Sequence, residues 1–142
     1  MNITKIFIAV FFISTLLYAS TSAKNSYFLE GEKLFNEKKF SQSKYKFEKD
    51  IVFNPKSELS YLYLAKIFNA QNNDFMEEQN LNTVIMLNPK NEEALYLLAK
   101  LNIKKSDYKK SKELINNLKE VCSNFCQKEA ELKEKLENLE PK

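Results

Sequence analysis

The tripeptide Asn-Pro-Lys occurs at residues 54–56 and returns at residues 88–90, which is 34 positions later. A period of that size is typical of stacked helical repeats, in which each unit is a pair of helices that cannot bury its apolar face alone. Arrays of such units present extended surfaces to other molecules. The period therefore predicts a protein that binds partners rather than one that performs chemistry.

Composition agrees with an all-helical chain. Gly occurs once and Pro three times among the 142 residues, whereas ordinary proteins contain about 7% Gly and 5% Pro. The 22 basic residues, all of them Lys, are nearly balanced by 19 acidic residues. A nucleic-acid-binding domain usually carries a pronounced basic stripe, so nucleic acid is not an expected partner.

The chain contains no His. This excludes His-based general acid–base catalysis, Ser-His-Asp and Cys-His triads, and metal sites built on imidazole. We therefore expect no enzymatic activity, no cofactor and no metal site.

Residues 1–23 have the pattern of a secretory signal peptide. Lys5 supplies a short positive start, residues 6–17 form an apolar run, and small residues follow up to Ala23. This order predicts export to a periplasm or secretion, with cleavage after Ala23. The run is shorter than the roughly 20 residues that span a bilayer, so no stable membrane insertion is expected after cleavage. The alternative is an uncleaved segment that anchors the protein.

Apolar residues follow helical spacing through the rest of the chain. Asn54 precedes Pro55, which disfavours the α region for Asn54 and predicts a helix end, and Asn88 repeats this arrangement. Asp74 and Glu77 suit a capping box at the start of a helix. The pattern predicts six helices of roughly 12 residues in pairs, followed by one more helix.

The helix pairs share a set of spaced residues. In the second pair they are Tyr61-x2-Leu64-Ala65-x2-Phe68, with Pro89 at the end, and the small residues of the three pairs are Gly31, Ala65 and Ala99, which lie 34 positions apart. The chain thus resembles the tetratricopeptide repeat family, whose 34-residue helix–turn–helix unit reads W-x2-L-G-x2-Y…A-x3-F…P.

The chain departs from the family pattern at one recurring position. Ser43 and Ser111 stand where the family has Ala, and Glu77 occupies the same slot in the second unit. The second unit is also predicted to hold one extra residue in its inter-helix turn and one fewer in its second helix.

The resemblance implies an all-α fold, an α-solenoid of about three helix–turn–helix units with a C-terminal capping helix. The repeat domain would cover residues 24–140, with units at about 24–57, 58–91 and 92–123 and the capping helix at about 126–139. Three units and a cap are about the minimum that can bury a continuous core.

In this family the first helix of each unit lines a concave face. By resemblance, the residues that would contact a protein or peptide partner are Phe28, Leu62, Lys66, Asn69, Tyr96, Lys100 and Ile103. The alternative for Phe28 and Leu62 is packing against neighbouring helices. Some members hold a partner's C-terminal carboxylate with a clamp of Lys, Asn and Arg; the matching positions here are Phe28, Glu32, Tyr63, Glu93 and Leu97, which do not fit.

Cys122 and Cys126 are the only cysteines. Their i, i+4 spacing lets them bridge if the backbone relaxes, and an oxidising compartment would favour the bond. We expect a structural disulfide that fixes the junction between the third unit and the capping helix. A reactive thiol pair is the alternative.

These observations lead to an exported interaction module that binds a segment of another protein in a concave groove without catalysis. The first alternative is a structural subunit of a cell-envelope complex or a homo-oligomer, since the sequence leaves the oligomeric state open. A more remote alternative is a thiol–disulfide protein that uses Cys122 and Cys126.

Overall fold

The computed structural model describes residues 26–139. The predicted signal peptide lies outside the described residues, so cleavage after Ala23 and export stay predictions. Residues 26–139 form seven helices and no strands, which confirms the all-α fold. Within this range no helix combines the length and the apolarity that a membrane crossing requires.

The helices follow one another through short connections. They are α1 (residues 26–36), α2 (Phe40–Phe53), α3 (Glu58–Ala70), α4 (Asp74–Leu87), α5 (Glu92–Lys104), α6 (Tyr108–Val121) and α7 (Cys126–Leu139). The chain divides into two compact units, the first ending at Ser57 and the second beginning at Glu58. From here on, the first unit means α1 and α2, and the second unit means α3 to α7, which includes the second and third helix pairs and the capping helix.

The three inter-helix turns have equal lengths, at residues 37–39, 71–73 and 105–107. The second helices that follow them each contain 14 residues. The prediction of an extra turn residue in the second pair is therefore wrong. The capping position was also misplaced by one residue, because the side chain of Asn73, rather than Asp74, accepts the hydrogen bond from the Met76 N–H.

The first unit is an antiparallel helical hairpin fastened by aromatic pairs along its length. Tyr27 at the start of α1 stacks on Phe53 at the end of α2, with ring centroids 5.6 Å apart. Gly31 in the middle of α1 allows close approach, since a Cβ there would lie 2.8 Å from the ring of Phe47. The Ser43 hydroxyl donates to the Gly31 carbonyl at 2.8 Å, which ties the two helices where they are closest.

The second unit has one continuous apolar core. Consecutive helices from α3 to α7 pack together, and α7 also contacts α5. Leu81, Leu95, Leu98 and Leu118 lie in this core with almost no exposed surface, and Leu132 and Leu136 add the apolar side of α7. The capping helix is thus part of the core rather than an appendage.

Two glutamates, 34 residues apart, fasten the loops that leave each helix pair of the second unit. Glu58 accepts hydrogen bonds from the side-chain amides of Asn88 and Asn91, both at 3.0 Å. Glu92 accepts from the Ser123 hydroxyl at 2.7 Å and from the backbone N–H groups of Asn124 and Phe125. Each carboxylate stands in the first turn of its helix, where negative charge is favoured.

The two cysteines flank the loop that Glu92 holds. The Sγ atoms of Cys122 and Cys126 are 2.14 Å apart and their Cα atoms are 5.2 Å apart. Cys122 follows the last residue of α6 and Cys126 is the first residue of α7. A bond between them would fix the angle at which the chain enters α7.

Candidate groove site

The second unit contains a cavity of about 290 Å³ that opens among four helices. Asn69 comes from α3, Glu77 from α4, a group of residues from α5 and Lys135 from α7, and the complete lining is Asn69, Glu77, Lys100, Leu101, Ile103, Lys104 and Lys135. An apolar floor and a polar rim therefore meet in one concave site.

Glu77 is the most buried polar side chain of the cavity, with 2% of its surface exposed. The Asn69 amide donates to both of its carboxylate oxygens, at 3.0 and 2.9 Å. Burial raises the pKa of the Glu77 carboxyl, and the Asn69 hydrogen bond opposes that shift. This pair fills the slot in which Ser43 and Ser111 lie in the other helix pairs, so Glu77 has a packing role as well as a charge.

The three lysines of the cavity differ in their partners. Lys104 forms an ion pair with Asp74 at 2.6 Å. Lys100 and Lys135 are exposed, and neither forms an ion pair with a residue in the range 26–139. The positive charge of the cavity that is free to act on another molecule therefore comes from α5 and α7.

The cavity brings together three of the residues predicted for the groove, Asn69, Lys100 and Ile103. Lys100 is exposed at the rim. Ile103 is buried, with 6% of its surface exposed, because α5 is packed on several sides, so it forms part of the cavity floor instead of a surface contact. Asn69 is committed to Glu77 and shapes the wall.

The other predicted residues of the second unit lie outside the cavity. Leu62 is 4% exposed and belongs to the apolar core. Its prediction as a partner contact is therefore wrong, and the alternative of packing against neighbouring helices is correct. Lys66 forms an ion pair with Glu93 at 2.7 Å. Tyr96 packs against Phe125, with ring centroids 5.7 Å apart. The repeat pattern did not foresee this contact, because Phe125 lies in the loop before the capping helix.

Phe28, the predicted groove residue of the first unit, is half-buried. Its ring packs against Phe47 at 5.8 Å in a tilted geometry. Packing inside the hairpin therefore accounts for much of its surface.

Sequence reasoning missed four lining residues, namely Glu77, Leu101, Lys104 and Lys135. Glu77 carried a signal, because a charged residue in a slot for a small one must find a buried partner. Lys135 carried none, because α7 was predicted as a capping helix and because Leu101, which lies 34 residues earlier in α5, was not a predicted groove position.

The cavity presents both charged and apolar side chains to a ligand. Among residues 26–139 there is no group of three or more His, Cys, Asp or Glu side chains that could hold a metal ion. Every buried side-chain nitrogen or oxygen in the described part of the chain has a hydrogen-bond partner. The buried polar groups of the cavity therefore need no ligand to satisfy them.

Comparison with solved structures identifies the fold. A scan against protein-family models and a search of curated proteins both find no match to this sequence. Among solved structures, the TPR2B domain of yeast Sti1 in complex with pHsp70 has a TM-score of 0.76 at 15% identity, covering 82% of this chain and 98% of that one. The TPR domain of Arabidopsis OM64 has a TM-score of 0.75 at 13% identity, covering 84% and 98%.

A bacterial structure shows the same likeness. The type III secretion chaperone SycD of Yersinia enterocolitica, in complex with a peptide of the translocator YopD, has a TM-score of 0.74 at 12% identity and covers 82% of this chain and 92% of that one. At such identities the likeness concerns the fold alone. The chain has the all-α helical repeat fold of tetratricopeptide repeat domains.

Proposed function

We propose that this protein is an exported interaction module that binds a segment of another protein on the face formed by α3, α5 and α7. The observation that carries the proposal is the concave cavity of about 290 Å³, which joins predicted groove residues from two successive first helices with a lysine of the capping helix. Structures with this fold that contain a bound peptide, such as SycD with a YopD peptide, support the same mode of action.

Binding at this site makes and breaks no covalent bond. Helices of the second unit already hold the lining residues in place, and Asn69 is fixed by two hydrogen bonds to Glu77. A preformed groove loses little conformational entropy when it binds, so a modest contact area can still yield useful affinity. Lys100 at the rim and Ile103 at the floor are the residues that we assign to direct contact.

In-cell photo-crosslinking tests this function. A photoreactive amino acid in place of Lys100 should crosslink to a defined protein partner, because Lys100 lies at the rim of the cavity. Lys109 is the matched control, since it is an exposed lysine of α6 that does not line the cavity. Identical crosslinked products from both positions would contradict a binding site at the groove.

We further propose that residues 1–23 direct export and that Cys122 and Cys126 are bonded in the exported protein. The apolar run that ends before Ala23 supports the first statement. The Cα–Cα separation of 5.2 Å, which lies in the usual range for a disulfide, supports the second. N-terminal sequencing of the protein recovered from the cell envelope tests export, and a sequence that starts at Met1 would favour the uncleaved anchor.

The alternative of a structural subunit rests on a different observation. Val52 and Phe53 on α2 are 74% and 51% exposed, and such apolar surface could be covered by a second copy or by a fixed complex. Light scattering coupled to size-exclusion chromatography decides between the two. A stable oligomer that is disrupted by Val52→Lys would favour the structural subunit.

A further inference from the structure

The charge of the cavity favours a ligand group of negative charge. Lys100, Lys104 and Lys135 oppose a single lining carboxylate, that of Glu77. This carboxylate is buried and hydrogen-bonded to Asn69, and its single negative charge, which interacts with Lys100, cannot balance both exposed lysines at the rim. Because two exposed lysines line one opening, a negatively charged group is the complementary ligand.

The size of the cavity and its apolar floor further limit which negatively charged ligand group can fit. A volume of about 290 Å³ equals that of the smallest small-molecule sites, which begin at about 300 Å³, and is sufficient for one side chain. It suits one inserted side chain of a larger partner. Leu101 and Ile103 give the floor an apolar surface against which methylene groups can pack.

Building on the peptide-binding function proposed above, we infer that the cavity receives a glutamate side chain from within the partner's bound segment. The glutamate carboxylate lies between the ammonium groups of Lys100 and Lys135, and its two methylenes pack on Ile103. Each charge-assisted contact is stronger than a neutral hydrogen bond. The capping helix thereby contributes directly to recognition.

This site differs from the carboxylate clamp known in the resembled family. The clamp-equivalent residues of the second unit, Tyr63, Glu93 and Leu97, do not line the cavity. Glu93 is itself engaged by Lys66 at 2.7 Å. The inferred ligand group is therefore an internal side chain and not a terminal carboxylate.

A matched pair of peptides tests the inference on the full chain. Both are fluorescent decapeptides of Gly and Ser with acetylated and amidated ends; one has Leu-Glu-Leu-Glu at its centre and the other Leu-Gln-Leu-Gln. Fluorescence anisotropy should show about tenfold tighter binding of the Glu peptide, which corresponds to about 1.4 kcal/mol. Added salt should reduce this preference, because the rim lysines are exposed.

Three variants locate the effect. Lys100→Gln combined with Lys135→Gln should remove the preference for the Glu peptide, whereas Lys133→Gln should keep it, because Lys133 is on α7 but does not line the cavity. Glu77→Gln should strengthen the preference, because it removes the acidic lining group while an amide oxygen can still accept from Asn69. This gain cannot be produced by unfolding.

The outcomes separate this inference from the function on which it rests. Equal affinity for the two peptides, or an unchanged preference in the Lys100 and Lys135 double variant, overturns the glutamate site and leaves peptide binding in place. Failure of both peptides to bind also overturns the glutamate site. The crosslinking from Lys100 then decides separately whether the groove binds a protein partner.

Discussion

One position in each helix pair determines how closely its helices approach. Gly31, Ala65 and Ala99 occupy it in the first helices, and the facing slot of the second helices holds Ser43, Glu77 and Ser111. The hydroxyls of Ser43 and Ser111 each donate to the carbonyl of the facing small residue, at 2.8 and 3.1 Å. The departures from Ala thus add an inter-helix hydrogen bond at the point of closest contact.

Gly31→Ala should destabilise the first unit. The new Cβ would lie 2.8 Å from Phe47, whose fully buried ring has no room to move. Overpacking of this kind costs about 1–3 kcal/mol and exceeds the gain of about 1 kcal/mol in helix propensity. Urea unfolding of the full chain should show a net loss of about 1 kcal/mol in the free energy of unfolding. A stabilised variant would show that the helices separate easily at Gly31.

The opposite substitution, from Ala to Gly, at the equivalent position of the third helix pair is the control. Ala99→Gly removes a Cβ that the structure accommodates, so only helix propensity and a small packing loss are involved. Its expected cost is about 1 kcal/mol.

Glu77→Gln should stabilise the second unit at neutral pH. Burial raises the pKa of Glu77, which means that the folded state binds its proton more tightly than the unfolded state does. Such a group makes folding more favourable as the pH falls towards its usual value of 4.5, and less favourable above it. Thermal melts should show that Glu77→Gln has its largest benefit at neutral pH and loses it as the pH falls. A benefit independent of pH would contradict this account.

At the scale of elements, the inter-helix turns share an unusual backbone conformation. Lys38, Asn72 and Ser106 have φ angles of 59°, 55° and 61° and lie 34 residues apart. This left-handed region is unfavourable for residues with a Cβ and is tolerated best by Gly and Asn. The chain has Asn at only one of the three turns, so the other two retain strain.

Ser106→Gly should therefore stabilise the α5–α6 hairpin. Release of the left-handed strain outweighs the added freedom of the unfolded chain, with an expected gain of up to about 1 kcal/mol. Chemical denaturation measures this gain. Asn72→Gly serves as the comparison and should gain less, because Asn tolerates the conformation; an equal gain at both turns would argue against local strain as the cause.

The loop before α7 depends on an ionised carboxylate. Hydrogen bonds from the Ser123 hydroxyl, and then from backbone N–H groups that include those of Asn124 and Phe125, lower the pKa of Glu92 to about 2. A depressed pKa contributes stability above the usual value of 4.5, and that stability is lost as the pH falls from 4.5 towards 2.

Glu92→Gln should consequently lower the melting temperature at neutral pH and have little effect near pH 2. Circular dichroism melts across this range would measure the difference between the variant and the natural chain. Glu131→Gln on the exposed surface of α7 is the control and should leave the melting temperature nearly unchanged. A difference that persists undiminished at the acid end would mean that the Glu92 charge does not hold the loop.

At the scale of the whole molecule, the 34-residue period predicted the helix pairs but did not predict the contacts of the capping segment. The column of small residues and the Asn-Pro pairs predicted the helix pairs, because both arise from local backbone and packing constraints. Leu62 belongs to the core and Ile103 to the cavity floor, and the sequence did not predict this, since a column on a helix face does not show how many helices cover it. The cavity position of Lys135 and the contact of Phe125 with Tyr96 were not predicted, because both residues belong to the capping segment, whose neighbours depend on long-range packing.

The capping segment also contains both cysteines of the chain. Cys122→Ser with Cys126→Ser should reduce the free energy of unfolding by about 2 kcal/mol, the chain-entropy value for so short a loop. The helix content of α7 should survive, because Leu132 and Leu136 remain buried in the core. Urea unfolding with and without dithiothreitol measures the effect. Reductant should bring the natural chain to the stability of the variant and leave the variant unchanged; a natural chain that is indifferent to reductant would show that the two thiols are not joined in solution.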